Sequence, residues 1–435
     1  MEFTRRKSSK KLSLMFKILL FLLPIVLSAA NLKFIIENSQ NSEPARIKAY
    51  EASRAKLERE SVASSYLPSL SLEGGMHRTY GDRSMLTPKS SSSILAKVEF
   101  LLYDGGAREA RDEILSHLQN KAVLEDEEFR NYLAYQSANL YFNAVALEKI
   151  IAAKHAQSQY LNSALKRLGK MQSAGLAATD ELESIRAKYH LSLSEALEFK
   201  QKQNEILSSI ELISAQAIIP QSGDSLQMPN FSKTSENLNL KALNEQLLAS
   251  EHRVQEVGSK QLPQIFIYDT YGFYRNDYDF ALGEFERYRP YVNEFFEKNS
   301  QSNQLGVGFK WKIFDFKATS KEEQSARIAS LQARLNLDYK RRENELKLKN
   351  LKNDIEVLTS KISALEQYVK AADASLEASV KKYESGLLGY TEFLAALAAK
   401  FDAASALEMS VDELEIKKAE YFYESGVDIA QKVVQ

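Results

Sequence analysis

Two stretches of this chain, residues 105–171 and 318–385, each run close to seventy residues without a proline. The second also lacks glycine, and the first holds it only near its two ends. At the rise of an α-helix, each stretch makes a rod about 100 Å long. Such rods do not fit inside a compact domain, so the fold class is an elongated, mainly α one. Ile355, Leu358, Ile362, Leu365, Val369, Ala372, Leu376 and Tyr383 recur at three-four spacing, the seam of a coiled coil.

The rods belong to a duplication. Leu67-Pro68, Asp104 and Gly175-Leu176 recur as Leu262-Pro263, Asp315 and Gly386-Leu387. Asp104 to Gly175 and Asp315 to Gly386 are both 71 residues, and the two copies are offset by 211. With that offset Leu147, Ile151, Leu161 and Leu165 fall opposite Leu358, Ile362, Ala372 and Leu376. The first repeat spans 31–218 and the second 237–435. Residues 219–236, rich in Ser, Pro, Gly and Asn, read as a linker. Each repeat is a leading helix (31–65 or 237–259), a strand hairpin (about 67–103 or 262–314), a long helix to a glycine tip, and a return helix.

The hairpin strands alternate. Ile94, Ala96, Val98, Phe100 and Leu102 share one face, with Leu95, Lys97, Glu99 and Leu101 on the other. Leu305, Val307, Phe309, Trp311 and Ile313 oppose Gln304, Gly306, Gly308, Lys310 and Lys312. Period two over about ten residues suits a tilted membrane strand, apolar to lipid and polar to a lumen. A soluble hairpin shows the same alternation, but these strands sit among rods that offer no sheet-covering face. On this reading Phe100, Phe309 and Trp311 face lipid, while Lys97, Glu99, Lys310 and Lys312 line a lumen.

Met1 to Ala30 reads as a secretory leader. Six basic residues precede the short apolar run Ile18–Leu27, and Ser28-Ala29-Ala30 supplies the small cleavage residues. Taking the leader's six bases and one acid from 57 and 58 leaves 51 and 57, a formal charge of −6. Nucleic acid is thereby disfavoured as a partner. Cysteine is absent, which excludes disulfides, thiolate metal sites, a Cys nucleophile and a lipidated Cys.

Four strands cannot close a membrane barrel, and an open edge in hydrocarbon leaves backbone groups unsatisfied at several kcal/mol each. The barrel must therefore be shared between copies. Two chains give eight strands and a lumen filled by side chains, so a conducting pore requires more than two.

The leader, the duplicated helix–hairpin–helix plan, the strand ending Leu102-Tyr103-Asp104-Gly105-Gly106 and the two glycine tips resemble the TolC-like outer-membrane efflux proteins. The resemblance covers essentially the whole mature chain. It implies a homotrimer in the outer membrane of a Gram-negative bacterium, with a twelve-stranded β-barrel continued by a coiled-coil helical tunnel through the periplasm. It further implies a channel-tunnel of tripartite efflux or type I secretion, with a periplasmic adaptor and an inner-membrane pump as partners. The adaptor contacts of the family would fall at Gly175, Leu176, Ala177, Gly386, Leu387 and Leu388. A charged periplasmic constriction would fall at Glu392; Ala395 stands where the family often has a second acid, so Asp180 and Glu181 would share the role.

Residues 276–302, with seven aromatics and Pro290, read as an extracellular surface loop in preference to a gating cover. Enzyme chemistry finds no constellation. His77, His117, His155, His190 and His252 lie at no metal-ligand spacing, and no HExxH occurs. Gly306-Val307-Gly308 sits inside a strand and opens no phosphate-binding helix. No cofactor, metal or catalytic residue is expected. The alternative function is a soluble periplasmic coiled-coil scaffold or secretion adaptor, although such adaptors usually build one hairpin and keep a membrane anchor.

Overall fold

The computed structural model describes residues 28–82, 84, 87–175, 177–232, 236–278, 283–296 and 299–434. Leader residues 1–27, Leu176 of the first tip and Phe280 of the aromatic loop lie outside the described residues. In chain order the elements are β1 (Ser28–Ala30), α1 (Leu32–Ser39), α2 (Glu43–Ser65), β2 (Ser69–Arg78), β3 (Ser90–Tyr103), α3 (Ala107–Ser173) and α4 (Thr179–Ser214). They continue with β4 (Ile218–Pro220), β5 (Ser225–Leu226), α5 (Leu238–Ser259), β6 (Gln264–Asp277), α6 (Arg289–Phe295) and β7 (Asn299–Lys310). The chain ends with α7 (Ala318–Glu384), α8 (Tyr390–Glu424) and β8 (Val433–Val434). The two rods, α3 and α7, are each a single helix of 67 residues.

Contacts divide the chain into two units. One holds residues 50–124 and 240–339, and the other holds residues up to 49, 125–239 and 340–435.

The first unit carries a four-stranded antiparallel sheet in the order β2-β3-β6-β7. The hairpins of the two repeats thus meet at β3 and β6, and β2 and β7 are the sheet's edges. Prolines set where two strands begin. Pro68 and Pro263 carry no N–H for a ladder, and pairing starts one residue later, at Ser69 and Gln264. Because Gln264 pairs with Lys310, β7 ends there. Trp311 and Lys312, read from the sequence as strand residues, lie beyond it.

Each hairpin enters its rod through the same turn. Asp104 Oδ2 accepts from Arg108 N–H at 3.0 Å, and Asp315 Oδ2 accepts from Thr319 N–H at 2.9 Å. Between aspartate and helix, two residues take left-handed φ: Gly105 and Gly106 at 73° and 85°, Phe316 and Lys317 at 53° and 65°. Only glycine fits at 105, since a Cβ there would stand 2.8 Å from both Leu262 Cβ and the Ser259 carbonyl. In the second copy a phenylalanine and a lysine bear the left-handed conformation, at about 1–2 kcal/mol per residue.

The second unit has the larger core. Leu32, Ile35, Ala138, Tyr141, Ile218, Leu226, Ile355 and Phe422 pack there from six elements. The segment read as a linker is built into this core. β4 pairs in parallel with β1, and β5 pairs with β8. Leu226 is clamped at both polar groups, its N–H donating to Glu415 at 2.7 Å and its carbonyl accepting from Lys418 Nζ at 3.2 Å. Ser28–Ala30, placed by sequence at the end of the leader, form β1.

The leading helix 31–65 is interrupted at residues 40–42. Asn38, Ser39, Asn41 and Ser42 each donate side-chain hydrogen bonds to carbonyls three or four residues back. These compete with the helix ladder, and Pro44 removes a donor from the turn that follows.

Candidate functional site

Cross-strand partners share a face of a sheet, so the register sorts the side chains. Leu70, Leu72, Val98, Phe100, Ile267, Leu305, Val307 and Phe309 fall on one face. Ser71, Glu73, Lys97, Glu99, Thr270, Gln304 and Lys310 fall on the other. Phe309 is 76 % exposed in the single chain. Lys97 and Glu99 form an ion pair at 2.6 Å on the polar face.

Two glycines there make room for rings. A Cβ at Gly306 would stand 2.6 Å from the Tyr268 ring, and one at Gly308 2.5 Å from the Phe266 ring. Aromatic rings laid over glycine hold register without projecting into the space above the sheet. Asp269 interrupts the apolar face between Val98 and Leu305, and its Oδ1 is buried without a hydrogen bond. Beyond β7, the Trp311 indole N–H donates to the Gln261 carbonyl at 3.0 Å.

The second unit contains the tips. At the end of α7, Gly386 N–H bonds to Tyr383 O at 3.2 Å and Leu387 N–H to Lys382 O at 2.8 Å. This pair of bonds closes the helix with Gly386 in the left-handed region at φ 73°, which a glycine adopts without a Cβ penalty. Gly175 holds the same conformation at φ 76°. Ala177 and Leu388 turn inward against a cluster of Leu161, Leu168, Leu182, Ile185, Phe393 and Leu397. Leu387, at 78 % exposure, is the apolar side chain that the second tip presents.

Glu181 and Glu392 are equivalent by the 211-residue offset, and both are acids in the first turn of a return helix, as is Asp180. Their charge complements the helix N-terminus. Glu392 folds back over Gly389, where a Cβ would stand 2.6 Å from its carboxylate.

One contact that sequence reasoning missed joins the two tip hairpins. Arg167 Nη2 donates to the Glu384 carbonyl at 2.6 Å, its Nη1 lies 3.6 Å from the Glu384 carboxylate, and its guanidinium lies over Tyr383 at 5.8 Å. Tyr383 in turn stacks on Phe393 at 4.8 Å. Burial first, and the Glu181 charge next, push the Tyr383 phenol up, with Arg167 opposing. Arg167 carried no local signal, since on a charged helix it reads as one solvated cation among many.

An antiparallel sheet with a sorted apolar face, together with paired helical hairpins closed by glycine tips, defines the outer-membrane channel-tunnel fold. The likeness to solved structures is extensive. The outer membrane protein VceC of Vibrio cholerae matches with a TM-score of 0.80 at 15 % identity, over 92 % of this chain and 96 % of that one. The outer membrane channel CmeC of Campylobacter jejuni matches with a TM-score of 0.75 at 13 % identity, over 91 % and 85 %. Residues 233–416 match the outer membrane efflux protein family. Outer membrane protein TolC of Salmonella enteritidis is 22 % identical over 325 residues, covering 69 % of this chain. The match spans 64 % of that relative's length.

Proposed function

We propose that three copies of this chain form an outer-membrane duct of a tripartite efflux or type I secretion system. It would conduct substrates from a periplasmic adaptor and inner-membrane pump to the exterior. The observation that carries this is the sheet: one apolar face, and two edges, β2 and β7, that pair with no strand among the described residues. In a bilayer both edges require partners. Joining β7 of one copy to β2 of the next closes twelve strands. The α7 stripe Ile328, Leu331 and Leu335, exposed in the single chain, is a second surface for a neighbouring copy. Burying each such side chain contributes about 1.5–3 kcal/mol.

Phe100 and Phe309 then face lipid, and Lys97, Glu99 and Lys310 the lumen. Trp311 lies just past the strand, where an aromatic belt meets the headgroups. Gly175, Gly386 and Leu387 form the adaptor-facing tips. A soluble scaffold or secretion adaptor is disfavoured, because the likeness to outer-membrane channels covers both repeats rather than one hairpin.

The duct is tested by fractionation. An oligomer in outer-membrane fractions that dissociates on heating supports it, and recovery of the protein as a soluble periplasmic species refutes it. The acid ring is tested separately. Glu392→Lys is expected to shift the reversal potential of planar-bilayer currents toward anions; an unchanged potential takes Glu392 out of the constriction.

A further inference from the structure

The fold gathers two of the histidines that the sequence scatters. His117 on α3 and His252 on α5 stack with ring centroids 5.5 Å apart. With Glu113, one turn before His117 on the same helix face, they bring three ligand-type atoms within 4.8 Å of one another. We infer that Glu113, His117 and His252 form a binding site for a divalent transition metal of the zinc class, which clips a first-repeat helix to a second-repeat helix.

The surrounding hydrogen bonds prepare the imidazoles for this. His117 Nδ1 lies 2.8 Å from Glu245 Oε2, which also accepts from Asn120 at 3.3 Å. A carboxylate only accepts, so it holds the His117 proton on Nδ1 and leaves the Nε2 lone pair for a metal. His252 Nδ1 lies 3.2 Å from the Gln255 amide oxygen, which selects the same tautomer. Two imidazoles and a carboxylate suit Zn²⁺, Ni²⁺ or Cu²⁺ better than Mg²⁺ or Ca²⁺. Three protein ligands leave the fourth tetrahedral position to water.

Glu113 is exposed, so its carboxylate is free to swing the short distance that bonds of about 2 Å require. Arg59, the neighbouring cation, is held by Asp112 through two bonds of 3.0 and 3.1 Å. Glu113 and Glu245 together supply the charge that balances a divalent ion. The i, i+4 pair Glu113 and His117 is legible in the sequence, but its completion by a residue 135 positions later is not.

The test uses the full untagged chain, purified in detergent, stripped with EDTA and titrated with Zn²⁺ by calorimetry. One saturable Zn²⁺ per chain is expected. His117→Ala and His252→Ala should each abolish it, and Glu245→Gln should weaken it roughly tenfold to a hundredfold. His155→Ala with His190→Ala should leave it unchanged. Co²⁺ provides a second readout, with visible absorption in the wild type that disappears in His252→Ala. Absence of saturable uptake by the wild type overturns the site and leaves a structural His–Glu pair. Unchanged uptake in the double variant His117→Ala, His252→Ala also overturns it, by placing the metal elsewhere. Neither result depends on whether the assembly conducts.

Discussion

Arg167→Ala is expected to raise the conductance of the reconstituted protein in planar bilayers and to lengthen its open times. Arg167 ties the end of α3 to the end of α7 through the Glu384 carbonyl, its carboxylate and the Tyr383 ring. The ion pair itself is half-exposed, and such pairs contribute at most about 1 kcal/mol. The charge-assisted bond to the backbone carbonyl is the stronger part, at about 1.5–3 kcal/mol. Losing about 1.4 kcal/mol shifts the equilibrium between closed and parted hairpins tenfold. In the trimer proposed above, where three chains would part together, independent shifts of this size compound to roughly a thousandfold.

The apolar cluster around Phe393 and Leu397 is untouched, so the tips loosen without unfolding. Arg167→Lys keeps the charge but loses the planar fork, and its effect should be intermediate. Lys149→Ala breaks a different ion pair, 2.8 Å from Lys149 Nζ to Glu408, and serves as the control. Unchanged conductance in an assembled Arg167→Ala oligomer would show that the hairpins are held by packing alone.

What the sequence made legible was local and periodic. Proline-free length gave the rods, period two gave the strands, and two glycines gave the tips within a few residues. What it hid depended on contacts between distant residues. Nothing near Ser225 and Leu226 announces a strand. They form one because Val433 and Val434 pair with them and because Glu415 and Lys418 bind Leu226. Ser28–Ala30 carry no strand signal either, and they form one by pairing with Ile218–Pro220. The aspartate turns were half visible. Asp104-Gly105-Gly106 shows its left-handed backbone in its glycines, whereas Asp315-Phe316-Lys317 adopts the same backbone under side chains that conceal it. The first-turn places of Glu181 and Glu392 could be read because position within a repeat is a one-dimensional property. Arg167 and the His117–His252 pair were missed because their meaning lies wholly in what faces them.

Asp412→Asn is expected to stabilise the protein at pH 8 and to leave it unchanged near pH 4. Asp412 lies on α8 with Oδ1 buried and without a hydrogen-bond partner. It lines a small cavity with Asp224, Lys149, Glu408 and Glu415. Lys149, the cation that lines it, is engaged by Glu408 at 2.8 Å, and Glu415 is paired with Lys418 at 2.6 Å. Burial, followed by the charges of Glu413 and Glu415, pushes the Asp412 carboxyl from 3.8 up to about 7. An acid whose folded pKa is raised binds its proton more tightly when folded. Its contribution to stability is therefore complete below about pH 4, declines as pH rises toward 7, and is absent above. A shift of about three units corresponds to at most roughly 4 kcal/mol, and relaxation around the charge reduces that to on the order of 2 kcal/mol. Asparagine keeps the shape and abolishes the titration. Thermal unfolding followed by circular dichroism in detergent should show a melting temperature above wild type at pH 8, with the gap closing as pH falls to 4. A gap that stays constant across this range would mean that Asp412 is solvated in the folded protein and that the substitution acts through packing.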